Sequence, residues 1–452
     1  MSIEIAKEII NLLRLYNFKE HNDFLTTELK KYHPADIADA VTHLPIKYQK
    51  AIVNLLPIEI VSEIIVELDD SVIADLVEEI SAKKIPRLID EMEIDDAVNV
   101  ISQLDDDKIE KIFSSLSKKT AEDVRSLMKY PEESAGRIMT RAFIAVNTED
   151  KISDAINHIK KIVKQEEIER VDNIYVIDKK WHLLGKVSLQ TVLLYDNNNR
   201  IGDYMKQVFS VNVLTDQEQV VRKAMKYDLL AVPVVDHNQV LMGIVTIDDI
   251  IDVLEEEIEE DISHMAGTGD EEIHDHSVFR VSRQRLPWLI IGLFGGIMAA
   301  LIISRFETSL HELVAIAFFV PVITAMGGNI GIQSSSIVVR GLATGDIRII
   351  DTWKRLFKEI RISLLNGIVC GLILGGIVFL WFQELYLGIV LGVSLLSVIF
   401  ISAVISSMVP LILKRFNIDP ALATGPFVTT TNDILGLFIY LGIASTYLQY
   451  FK

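Results

Sequence analysis

The hydrophobic positions along this 452-residue chain change their period twice. From residue 37 onward they recur every twelve residues. Leu44, Leu56, Leu68, Ile80, Met92, Leu104 and Leu116 form one register, and Val41, Val53, Ile65, Val77, Ile89, Ile101 and Phe113 another. Cap or turn signals fall between them at Leu44-Pro45, Leu56-Pro57, Asp69-Asp70, Asp95-Asp96 and Asp105-Asp106-Asp107. Within each unit the apolar residues are three and four apart, which predicts a helix. Acids just ahead of each run suit helix N-termini. A helix-plus-turn unit this short cannot bury its own face, so the units must stack. The pattern predicts an all-α helical-repeat domain over residues 1–130.

After Tyr130 the texture becomes α/β. A strand–helix–strand–strand pattern runs once over 131–200, with Ile174–Asp178 and Gly185–Leu189 as its later strands. It runs again over 201–256, with Val232–Asp236 and Gly243–Asp249. Residues 248–275 follow as a connector. Ile247, Ile250, Ile251, Leu254, Ile258 and Ile262 make its apolar stripe, and the other face is almost wholly carboxylate. Like charges four apart, such as Asp248/Asp252 and Glu256/Glu260, destabilise a helix, so this one wants counter-charge. Hard oxygen ligands select Mg2+ or Ca2+ over zinc or copper. A solvated acidic face is the plain reading of such a helix; its place just before the membrane favours a cation-responsive connector. His274 and His276 in the linker read as incidental.

The third texture is continuous apolar character over 284–452. Five runs, Pro287–Ser304, Leu310–Val339, Leu364–Phe382, Leu385–Leu413 and Ala421–Phe451, approach or exceed the roughly 20 residues a bilayer needs. Arg280, Arg283 and Arg285 precede span one. Arg340, Arg348, Lys354, Arg355, Lys358 and Arg361 lie between spans two and three, and Lys414 and Arg415 follow span four. The positive-inside rule puts the N-terminus in the cytoplasm and the C-terminus outside, in a cell (inner) membrane. Span two reads as broken, with Pro321, Gly327, Gly328 and Gly331. Span five carries Gly425-Pro426, and paired interruptions point to a binding site. Small residues also pack helices closely, which suits Gly292/Gly296 and Gly371/Gly375.

Charge follows the same division. Residues 1–275 carry a net −24 and residues 276–452 a net +5, within a total of −19. An acidic soluble half argues against nucleic acid and for cations as partners. The single cysteine, Cys370, allows no intrachain disulfide, and the N-terminus lacks a signal-peptide pattern. Inside span five sits one acid, Asp433, beside Asn432 and Thr429–Thr431. A carboxylate at bilayer depth costs roughly 3 kcal/mol on insertion scales and marks a pore or ion site by default. Its competing reading is an acid bonded to a neighbouring helix. No P-loop, HExxH or nucleophile–base pairing points to an enzyme.

The tandem α/β copies resemble cystathionine-β-synthase-type (CBS) domains, regulatory modules that often bind adenine nucleotides. The second copy keeps the ribose-binding pattern as Thr246 and Asp249, whereas the first has Ser188 and Thr191. The whole chain resembles the MgtE family of magnesium transporters, most specifically at Gly327-Gly-Asn-x-Gly-x-Gln333, Arg340-x-Leu-Ala-Thr344, Asp419-Pro-Ala421 and Asp433-x-x-Gly436. That resemblance implies a homodimeric Mg2+ channel in a lipid bilayer, with its pore on the dimer axis. Asp433 would be the pore carboxylate, and Thr429, Gly328, Asn329 and Gln333 would line the pore. It further implies Mg2+ sensing by Glu63 and Asp95, by Glu218 and Asp228, and by Asp249, Asp252, Glu257 and Glu260 of the connector, with Asp419 at the membrane mouth. Bound Mg2+ would close the pore, and the CBS pair would serve either as an ATP sensor, through the second copy, or as a scaffold without nucleotide. Two other readings stay open: a secondary transporter coupled to H+ or Na+, and a membrane-tethered CBS sensor without transport.

Overall fold

Prolines and polar caps decide where the short helices of the N-terminal region begin. The structure, a computed structural model, describes residues 7–12, 22–68, 70–80, 84–104, 106–165, 173–196, 198–268, 278–344, 347, 352–416 and 418–451. Asp69, Asp105, His274, His276 and Arg348 lie outside the described residues. The helices are α1 (Asn22–Leu29), α2 (Pro34–Thr42), α3 (Ile46–Leu55), α4 (Ile58–Val66), α5 (Asp70–Glu79), α6 (Ile85–Glu91), α7 (Ile94–Ser102), α8 (Asp106–Phe113) and α9 (Lys118–Leu127). Pro45 and Pro57 hold the N-cap positions of α3 and α4, and the Ser117 hydroxyl accepts from the Thr120 N–H to cap α9. Each helix packs on the next but one, α1 on α3 through α7 on α9, so alternate helices form two layers. The twelve-residue registers are what the layers enclose. Leu44, Leu56, Leu68, Val53, Ile65, Ile89 and Ile101 are all buried in one continuous core.

The two α/β copies follow. The first comprises β1 (Ala145–Asn147), α10 (Ile152–Gln165), β2 (Asn173–Ile177), β3 (Leu183–Ser188) and α11 (Leu189–Leu194). The second comprises β4 (Val211–Asn212), α12 (Gln217–Tyr227), β5 (Ala231–Val235) and β6 (Leu241–Thr246). In each, the first strand runs parallel to the second and the second antiparallel to the third. The copies exchange edges. Thr140 of the first copy, ahead of β1, bridges Ile244 of the second, and Lys206 of the second bridges Lys186 of the first. A Cβ on Gly185 would stand 2.6 Å from the Lys206 carbonyl oxygen, and one on Gly243 would stand 2.6 Å from that of Thr140. The glycine of each Gly-x-Val run therefore admits the visiting strand.

Helix α13 (Ile247–Ala266) begins just after Thr246, whose N–H and hydroxyl both donate to Asp249 Oδ2 in the first turn. The chain divides after Glu257, within this helix, into units 1–257 and 258–452. The apolar stripe is only half realised. Ile250 and Val253 are buried, whereas Ile251, Ile258 and Ile262 are exposed.

The second unit holds α14 (Val278–Arg305), α15 (Glu307–Glu312), α16 (Ala315–Ala343), α17 (Thr352–Phe382), α18 (Leu385–Arg415) and α19 (Gly425–Phe451). Five of these are long and apolar enough to cross a membrane. Lys354, Arg355, Lys358 and Arg361 belong to the first turns of α17 rather than to a loop. The expected break in span two is absent: α16 is helical through Pro321 and Gly327–Gly331. Its glycines serve packing instead. A Cβ on Gly327 would sit 3.2 Å from Val398 Cγ1, and one on Gly331 would sit 1.9 Å from Asn432 Nδ2. Gly371 and Gly375 of α17 lie backbone to backbone with Gly392 and Gly388 of α18. On α14 it is Gly295, facing Thr430, that admits a neighbour, while Gly292 and Gly296 meet open space. The expected interruption of span five falls at its start: Gly425, at φ +55°, opens α19 with Pro426 in its first turn.

Candidate cation sites

The first turns of α7 and α13 bring carboxylates face to face. Asp95 and Asp96 open α7 just after its N-cap residue Glu93, and Asp248 and Asp249 open α13. Asp95 is buried, and its Oδ1 has no hydrogen-bond partner. Desolvation, then the facing Asp249, holds its carboxyl well above the usual carboxylate range. The same two causes, followed by Glu93, push Asp96 up to about 7. Desolvation drives Asp249 up to about 6 against the lowering effect of its bonds from Thr246. Asp252 is raised by desolvation, then by Glu67. A buried, unpartnered carboxylate oxygen facing like charge suits a hard divalent cation. Among the described residues, no group of three or more His, Cys, Asp or Glu side chains is placed to hold a metal ion.

The other sensing candidates are placed differently. Glu63 is exposed on α4, and Glu67, one turn on, is the acid that acts on Asp252. Glu218 pairs with Arg222 along α12. Glu257 accepts from Gln217 Nε2 at 3.4 Å. Asp228 is exposed in the left-handed C-cap of α12, at φ 50°. Glu260 and Asp419 share a neighbour: His264 Nδ1 stands 2.9 Å from Asp419 Oδ2 and 3.9 Å from Glu260 Oε1. Asp96 and Glu67 were missed by sequence reading. The pairing of Asp96 with the already singled-out Asp95 in one first turn was the available signal.

Within the membrane unit, Asp433 is half-buried on α19. Among the described residues it forms no ion pair and no side-chain hydrogen bond. Thr429 lies one turn earlier, and its hydroxyl donates back to the Gly425 and Pro426 carbonyls, 3.1 Å to each. Gly328 faces Thr429, at 3.9 Å from Cγ2 to an added Cβ. Asn329 and Gln333 are exposed on α16. Asn432, by contrast, is buried and donates to Ser406 Oγ at 3.0 Å. Arg355 and Glu359 pair at 3.2 Å on α17, and Ser334 of α16 donates to Glu359 at 2.6 Å.

Residues 320–443 match the family of MgtE divalent cation transporters, residues 32–133 match the MgtE intracellular N domain, and 135–198 and 201–256 match CBS domains. The chain is 38% identical to the magnesium transporter MgtE of Bacillus subtilis over 327 residues, 72% of each protein. The chain belongs to the MgtE family of magnesium transporters. It is 36% identical to the Enterococcus faecalis MgtE over 73% of each protein. It is also similar to the crystal structure of the cytosolic domain of the Mg2+ channel MgtE in complex with ATP. That likeness has a TM-score of 0.51 at 26% identity and covers 55% of this chain and 99% of that one. This MgtE protein is accordingly a multi-pass Mg2+ transporter with an MgtE N domain and a CBS pair. A family of transporters is no enzyme class, and a tethered sensor without transport is set aside.

Proposed function

We propose that this protein is a homodimeric, Mg2+-selective channel whose two Asp433 carboxylates face one another across the dimer axis. The observation that carries this is a half-buried carboxylate, in a helix long enough to span a bilayer, without an ion-pair or side-chain hydrogen-bond partner among the described residues. Such a group persists where water or a cation receives it. Two negative charges in a ring of low dielectric favour a divalent over a monovalent ion. Mg2+ dehydrates reluctantly, so Thr429, Asn329 and Gln333 would act as acceptors for its water shell. In this arrangement the helical-repeat and CBS regions (1–130, 131–200, 201–256) and the connector (248–275) lie in the cytoplasm. The five spans (284–452) end with the C-terminus outside, a reading supported by the basic residues between spans two and three and after span four.

The same ion would close the pore. Glu93, Asp95 and Asp96 at α7, Asp248, Asp249 and Asp252 of α13 and Glu67 at the end of α4 make one acidic face, and bound Mg2+ would neutralise it. Loss of Mg2+ would leave the carboxylates to repel. Glu63, Glu218, Asp228, Glu257, Glu260 and Asp419 would contribute further regulatory ligands. The transported ion is then also the allosteric inhibitor. Thr246 and Asp249 would in addition receive the ribose of ATP, the nucleotide held by the similar cytosolic domain. Mg2+ flux into liposomes decides the pore reading: Asp433→Asn keeps the shape, removes the charge and should abolish flux in protein that still folds. Parental flux from Asp433→Asn would remove this carboxylate from the ion path.

A further inference from the structure

Next to the proposed pore carboxylate is a polar residue that faces the other way. Asn432 is 1% exposed in the interior of a bundle that spans a membrane. Its Nδ2 donates to Ser406 Oγ of α18 at 3.0 Å. On the other side it fills a hole made by glycine: a Cβ at Gly331 of α16 would stand 1.9 Å from Nδ2 and 3.0 Å from Ser406 Oγ. Its backbone oxygen lies 3.7 Å from a Cβ added to Gly327. The amide of α19 is thus seated in a socket built by the two neighbouring spans. Its Oδ1 is buried without a partner, so this residue does not give the tightest available packing. A leucine would avoid that cost.

A buried asparagine retained among apolar neighbours is best attested as a device that fixes helix register. Here register has a functional meaning. Successive residues of an α-helix point about 100° apart, so the seat of Asn432 sets the direction of Asp433. We infer that Asn432 is a positioning residue, the key that fixes the rotation of α19 so that Asp433 meets the transported Mg2+. This rests on the reading of Asp433 as the pore carboxylate. Two turns further along α19 the Tyr440 hydroxyl donates to the Ile316 carbonyl of α16 at 2.7 Å. Between Thr424 and Tyr440 no other side chain of α19 bonds a neighbouring span among the described residues, so Asn432 is the polar anchor beside Asp433.

The test compares full-length protein in liposomes for Mg2+ flux, Mg2+-over-K+ discrimination and thermal stability in detergent. Asn432→Leu should keep or raise stability, because it removes an orphaned amide oxygen. It should also cut Mg2+ flux and discrimination by about tenfold, the equivalent of one interhelical hydrogen bond in a membrane. Ser406→Ala, a smaller change, should move both in the same direction. The exchange Asn432→Ser with Ser406→Asn, which re-forms the bond with its partners swapped, should restore most of the loss. A merely structural role would lower stability and flux together. Parental flux and discrimination in Asn432→Leu would overturn the inference, as would an exchange that folds but restores nothing. An Asp433→Asn control separates the two readings. If that variant transports normally, the pore assignment is wrong and any Asn432 effect does not run through Asp433.

Discussion

Raising the pH should loosen the α7–α13 face in the absence of divalent cations. Asp95, Asp96 and Asp249 have pKa values raised above the ordinary range in the folded state. A raised carboxylate binds its proton more tightly when folded. Its contribution is therefore full below the ordinary value near 3.8 and is lost as pH rises through the folded value, about 7 for Asp96. Stability changes by about 1.4 kcal/mol per pH unit for each proton bound only by the folded face. Between about pH 5.5 and pH 8, Asp96 alone would cost about 2 kcal/mol, which water at half-buried carboxylates discounts to about 1 kcal/mol. That is roughly a fivefold rise in local opening. The assay is hydrogen exchange of peptides covering 92–100 and 247–257 in the full-length protein, corrected for intrinsic rates, in chelator and in Mg2+. The rise should appear in chelator and vanish in Mg2+, which takes the place of the protons. Opening that is flat with pH, or that falls, would refute the reasoning.

Other expectations are narrower. Asp249→Ala with Asp252→Ala should leave flux open at internal Mg2+ concentrations that silence the parent, read as liposome flux against inside Mg2+. Removing Glu359 leaves the half-buried Arg355 without its partner, so Glu359→Ala should cost about 2–3 kcal/mol, read as a lower melting temperature in detergent, with Ser334→Ala costing less. Gly331→Ala drives a methyl into Asn432 and should cost about 1–3 kcal/mol through overpacking and disturb flux alongside stability. Asp433→Glu should retain part of the flux with altered selectivity, read in the same liposomes.

Much of this architecture is legible in the sequence because its signals are periodic. The twelve-residue registers are the buried residues of the helical layers. The Gly-Lys-Val and Gly-Ile-Val runs locate the third strand of each CBS copy. Length and apolarity suffice for the spans. What was misread concerns glycine and tertiary contact. Gly327, Gly328 and Gly331 look like a broken helix on paper. They lie in a continuous one, where Gly327 and Gly331 leave room for the side chains of Val398 and Asn432, which only three-dimensional packing reveals. In the candidate site, Asp95 and Asp249 could be picked out singly. That Glu67, rather than Glu63, acts on Asp252 depends on how α4 is turned toward α13, and a local match cannot supply that.

The glycine ladder between α17 and α18 has a consequence for how the protein can drift in sequence. At Gly371, Gly375, Gly388 and Gly392, an added Cβ would come within 2.5–2.8 Å of a backbone carbonyl oxygen on the other helix. Backbone cannot swing aside as a side-chain tip can, so even alanine should be refused at these four places. A saturation library selected for growth on scarce Mg2+ should therefore show two clusters of intolerance with different chemical grammars. Around Asp433 charge and shape would both matter, and many substitutions would fold but fail to transport. Along the ladder only volume would matter, and failures would be lost before they reached the membrane. Because the four positions face one another in pairs, no single compensating change could rescue them.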